Sequence, residues 1–67
     1  MHNDLYMLWD TVFGPWATPK AVIEASDGDL RGYVSSSVAT AIEQGAELDA
    51  EVAIAKLYTH ITTYTVR

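Results

Sequence analysis

Sixty-seven residues admit one domain and a single small hydrophobic core. The chain has no cysteine, which excludes disulfides and thiolate zinc sites as supplements to that core. Four cations (Lys20, Arg31, Lys56 and Arg67) against nine acids leave a net charge of −5, which excludes the basic patch that direct DNA or RNA binding requires.

The same cation deficit argues against an anionic membrane surface, and no run of about 18 apolar residues offers a membrane span. No basic region precedes the apolar stretch near the N-terminus, so no signal peptide is expected. The expected setting is the cytoplasm, or the host cytoplasm if the chain is viral. The hydrophobic fraction of 49% sits at the top of the ordinary range. At this size burial gain and conformational entropy are each on the order of 100 kcal/mol and nearly cancel. Apolar surface that so small a body leaves uncovered points to association with a partner.

Residues 4–13 read as the first helix. Asn3 can cap it, Asp4 suits its positive end, and Gly14-Pro15 stops it. Leu5, Leu8, Trp9, Val12 and Phe13 follow the spacing of a buried stripe, with Met7, Asp10 and Thr11 on the opposite side. Trp16, in the turn that follows, is expected to pack over the end of this helix, because its indole tolerates a half-wet site. Thr18-Pro19 then opens a short helix over residues 19–25, with Thr18 as cap and Pro19 in the first turn. Val22, Ile23 and Ala25 form its apolar side. A strand through Ala21 to Ile23 is the competing reading.

A third helix is expected over residues 28–44. Its start has two registers: Ser26 as cap with Asp29 closing a capping box, or Asp27 as cap. Leu30, Tyr33, Val34, Val38, Ala41 and Ile42 fall on one half of its circumference. The small residues Ser36, Ser37, Ala39 and Thr40 allow another helix to approach. Gly45 is the expected left-handed cap. Asp49 opens the last helix, over residues 50–64, with Leu48 stapling onto Ala53. Ala50, Ile54, Leu57, Ile61 and Tyr64 line its apolar face, flanked by Tyr58 and Thr65, while Lys56, Thr59 and Thr63 point away. Most residues from Tyr58 to Val66 are good strand formers. The turn from Thr62 to Arg67 is therefore open to helical, frayed or extended structure. The fold class is all-α: a small three- to four-helix bundle built on a C-terminal helical hairpin, with α+β and a short terminal strand as the alternative.

Nothing in the chain carries the spacing of a catalytic, cofactor or metal site. His60 borders the apolar face of the last helix without an identifiable nucleophile nearby, and reads as a boundary histidine. Asp27-Gly28-Asp29 begins like a calcium loop. The next ligand position falls on Arg31, however, and no acid closes the loop. Capping is the better account. Glu43, Glu47, Asp49 and Glu51 make the densest acidic cluster, at the bend around Gly45. Asp49 and Glu51 serve a helix N-terminus, whereas Glu43 and Glu47 are not explained that way. Among the aromatic residues, Trp9 and Phe13 belong to the core. Trp16, Tyr6 and Tyr58 are the candidates for a partner interface.

These features describe a non-enzymatic protein that needs no cofactor and acts by binding another protein. Its partner would carry a basic surface, one version being a nucleic-acid-binding surface that the chain occupies as an inhibitor. Small phage-encoded inhibitors are of this kind, an analogy of size and charge alone. The alternative is a structural subunit that closes a homodimer or larger assembly through its surplus apolar surface.

Overall fold

The computed structural model describes residues 4–66, with side chains placed for residues 5–64. Within them the chain forms four helices: α1 (Asp4–Phe13), α2 (Pro19–Ser26), α3 (Leu30–Glu43) and α4 (Ala50–Val66). No strand occurs among the described residues, and the fold is an all-α bundle. The cap expected of Asn3 lies outside the described residues, as do the side chains of Asp4 and Thr65 and the whole of Arg67.

Caps set most of the boundaries. Thr18 is extended and its Oγ1 accepts the Ala21 N–H at 3.1 Å, with Pro19 in the first turn of α2. Gly45 (φ 107°) closes α3. Its N–H reaches the Ile42 carbonyl and the Ala46 N–H reaches that of Ala41, both at 3.0 Å. This pair of bonds satisfies two of the carbonyls a helix end leaves unpaired, and it needs a left-handed residue that glycine adopts without strain. Asp49 Oδ1 accepts from Glu51 N at 3.1 Å and Val52 N at 3.3 Å, opening α4.

The α2–α3 junction departs from both expected registers. Ser26 ends α2 instead of starting α3, and its buried hydroxyl donates back to the Ile23 carbonyl at 2.6 Å. Asp27 takes the left-handed conformation (φ 51°) as the cap of α2. Aspartate tolerates that region better than most residues. With Asp27 and Gly28 consumed by the turn, the cap of α3 falls to Asp29, whose Oδ1 accepts the Gly32 N–H at 3.1 Å. The helix therefore begins at Leu30 rather than at residue 28. Gly32 is what makes room for this cap. A Cβ there would overlap Asp29 Oδ2 and lie 2.8 Å from Asp29 Cγ.

The core sits in the α3–α4 hairpin. Val34 and Val38 of α3 and Leu57 and Ile61 of α4 are fully buried, joined by Ala41, Ala53 and Val22 of α2. Burial of Leu57 and Ile61 explains why the β-branched run from Tyr58 onward stays helical: helical spacing stacks both with Ile54 against the core, where strand alternation would turn Ile54 to the opposite face. The helix runs on to Val66. Tyr64, expected on the apolar face, is exposed, as is Ala50 at the other end. Ala25, expected on the apolar side of α2, is exposed too, and Ser26 is buried in its place.

α1 and α2 each pack on both α3 and α4 and not on one another. They are not the antiparallel neighbours that a short connection leads one to expect, because each covers a separate flank of the hairpin. The α1 stripe of Leu5, Leu8, Trp9, Val12 and Phe13 packs against the core as expected, though every member is only half-buried. A row of rings holds α1 in place. Phe13 stacks on Tyr33 of α3 with centroids 6.2 Å apart, and Trp9 meets His60 of α4 edge-on at 5.6 Å. Such pairs add to the burial of their surfaces by about 0.5–1.5 kcal/mol each. The radius of gyration is 11.0 Å, against about 11 Å for a folded chain of this length.

Candidate docking groove

Every buried side-chain nitrogen or oxygen among the described residues has a hydrogen-bond partner. Among the same residues no group of three His, Cys, Asp or Glu side chains is placed to hold a metal ion. None of the described helices is long and apolar enough to cross a membrane. Among the described residues the interior holds no unpaired polar side chain.

The acidic bend borders a shaped part of the surface. Glu43, Glu47, Asp49 and Glu51 are all exposed. Two of them, Glu47 and Asp49, stand at an open groove of about 450 Å³ between α1 and the first turns of α4. Met7, Leu8, Leu48, Val52 and Ala53 supply its apolar lining, and Lys56 lines it as well. The bend between α3 and α4 builds one wall: the left-handed turn at Gly45 brings Ala46 and Leu48 back toward α1, and Leu48 packs against the core. Glu43 and Glu51 lie outside the groove lining.

The apolar lining is not fully covered. Met7 is 66% exposed and Val52 48%. Both are helical residues on neighbouring elements facing one concavity, which separates them from the scattered exposed apolar residues of any surface. Sequence reading missed Val52 altogether. Met7 did carry a signal, as an apolar residue on the polar side of α1. Lys56, read as pointing away from the core, does so and reaches the groove.

The aromatic candidates divide. Trp16 is 92% exposed and Tyr6 77%, and neither lines the groove. The expectation that Trp16 packs over the end of α1 is overturned. The loop is held instead by Trp9, whose Nε1–H donates to the Ala17 carbonyl at 2.9 Å, and this leaves the Trp16 ring outward. Tyr58 is half-buried, with the Arg31 guanidinium 5.5 Å from its ring centroid, so much of its face is engaged within the chain. A second, smaller concavity of about 220 Å³ lies between α1 and α3, lined by Ser36, Ser37 and Thr40 among others. The small-residue face of α3 thus borders α1 without being covered by it: Ser36, Ala39 and Thr40 stay exposed. His60 packs on Trp9, as a boundary histidine would. Asp27 and Asp29 act as helix caps.

Compared with protein-family models, with curated proteins and with solved structures, the chain matches none.

Proposed function

We propose that this chain is a small acidic, non-enzymatic protein that binds and modulates another protein, docking its α3–α4 bend against a basic surface of the partner. The observation that carries this reading is that Glu47 and Asp49 line a largely apolar groove. Apolar contact supplies affinity, and the carboxylates supply selection for a cationic partner and a faster encounter. A net charge of −5 adds a long-range pull toward such a partner. A nucleic-acid-binding protein is one fitting target, with the chain acting as an inhibitor in the cytoplasm in the manner of small phage-encoded inhibitors. That last step rests on analogy of size and charge.

The test is affinity capture from a lysate of the native host, with wild type beside a Glu43→Lys/Glu47→Lys variant. A partner retained by wild type, lost by the variant, and released as salt rises toward about 1 M, where screening reaches about 3 Å, is the expected result. Capture of nothing but the protein itself would overturn the reading. In that case sedimentation at micromolar concentration decides whether the exposed apolar surface closes a homo-oligomer instead.

A further inference from the structure

We infer that the groove between α1 and the first turns of α4 receives an amphipathic helix of the partner, apolar on its inner face and basic at the end that meets Glu47 and Asp49. The inference rests on the protein-binding reading above and specifies the element that docks.

The shape of the site selects a helix. The groove is an open furrow of about 450 Å³ bounded by two helices, with room for several side chains of a docking element. An extended peptide gains affinity mainly by joining a sheet edge, and no strand occurs among the described residues. A polyproline segment needs an aromatic-lined groove, and no aromatic residue lines this one. What remains is a third helix whose side chains at i, i+3, i+4 and i+7 enter the furrow between two others. Met7 and Val52, both well exposed, are the side chains such a helix would cover.

Charge selects the sequence of that helix. Glu47, Asp49 and Lys56 are the charged residues of the groove lining. Asp49 and Lys56 are seven positions apart, about 10 Å along α4, so the groove has an acidic end and a cationic end two turns away. A docking helix with Lys or Arg at one end and a neutral or acidic residue two turns on matches both, and the match fixes its direction. Asp49 Oδ1 is already committed to the cap of α4, and its charge is partly offset by the helix dipole. Glu47 has no such duty and carries most of the selection. A second copy of this chain is a poor occupant. Like net charges of −5 repel, and the cations at helix ends, Lys20 of α2 and Arg31 of α3, are single residues in first turns that also hold the chain's own caps.

The experiment titrates the intact chain, with labelled methyl groups, against a synthetic helix-forming peptide of about four turns. The peptide carries a leucine face and lysines at one end, and its partner probe has every lysine replaced by glutamate. The expected result is saturating NMR shifts at Met7, Leu8, Leu48 and Val52 with a Kd below about 1 mM. The lysine peptide should bind at least about tenfold tighter than the glutamate one. Glu47→Lys and Val52→Glu should each weaken it by a similar factor. Both positions are exposed, so circular dichroism should show the fold intact. Absence of saturating shifts, equal binding of both peptides, or shifts centred on Tyr6 and Trp16 would overturn the inference. So would groove shifts that grow with protein concentration before any peptide is added, because they would mark a second copy as the occupant. If a captured partner binds the Glu47→Lys/Val52→Glu variant undiminished, the helix-in-groove inference fails and the protein-binding reading stands. If no partner is captured, that reading fails, and the peptide titration still decides what the groove accepts.

Discussion

The indole of Trp9 donates a 2.9 Å hydrogen bond to the carbonyl of Ala17, so a side chain of α1 holds the loop that delivers the chain to α2. The two tryptophans of this chain are opposites as a result. Trp9 is half-buried and bonded, while Trp16, in the loop so held, is 92% exposed.

Replacement of Trp9 by phenylalanine keeps a ring against Phe13 and His60 but leaves the half-buried Ala17 carbonyl without its donor. The expected loss is about 1–3 kcal/mol, read from urea unfolding. Trp16→Phe should stay within about 0.5 kcal/mol of wild type. A larger loss for Trp16 than for Trp9 would show that the loop is held another way.

Gly32 and Asp29 should be energetically coupled. In wild type, Gly32→Ala gains about 1 kcal/mol of helix propensity but drives a methyl into the capping carboxylate, and loss of the cap costs about 1 kcal/mol. The net change should be near zero or unfavourable. In an Asp29→Ala background the obstacle is gone, and the same glycine substitution should stabilise by about 1 kcal/mol. Denaturation of the four proteins of the cycle measures this, and a coupling of zero would remove the steric account.

Leu57→Ala removes a fully buried side chain at the centre of the hairpin. Such truncations cost about 2–5 kcal/mol, and a core of this size rarely supplies more than about 3–5 kcal/mol. The variant should be largely unfolded at 25 °C by circular dichroism. A cooperative melt near that of wild type would show that the hairpin is not the seat of stability.

Arg31 reaches across from α3 to the ring of Tyr58 on α4. Arg31→Ala should cost about 0.5–1 kcal/mol, with most of that loss absent when Tyr58 is already leucine. Equal losses in both backgrounds would assign the effect to something other than the ring.

The helix limits were legible where one residue alone could do the work. Thr18-Pro19, Gly45 and Asp49 each had no local rival, and each acts as read. At the α2–α3 junction, Ser26, Asp27 and Asp29 are all competent caps. The choice is made by Asp27 entering the left-handed region, a conformational fact that composition does not display. The run of threonines and tyrosines near the C-terminus favours strand locally. Its helical state follows from Leu57 and Ile61 finding the same core, which is a tertiary matter. The acidic half of the groove could be read from Glu47 and Asp49, because neither is buried by any helical face. The apolar half could not, because Met7 and Val52 become neighbours only when α1 lies across α4. The place of Trp16 is not legible for a related reason: a ring in a loop goes where the loop backbone is held, and here the holder is Trp9.

α1 and α2 rest on the same hairpin without packing on each other, so away from the Trp9–Ala17 bond energy lost at one is not relayed directly to the other. Truncations such as Leu8→Ala and Ile23→Ala should therefore sum to within about 0.5 kcal/mol. In evolutionary terms the two flanks are free to drift separately. The α1 side can be reshaped to suit whatever occupies its groove, while α2 keeps its one task of sealing Val22 into the core.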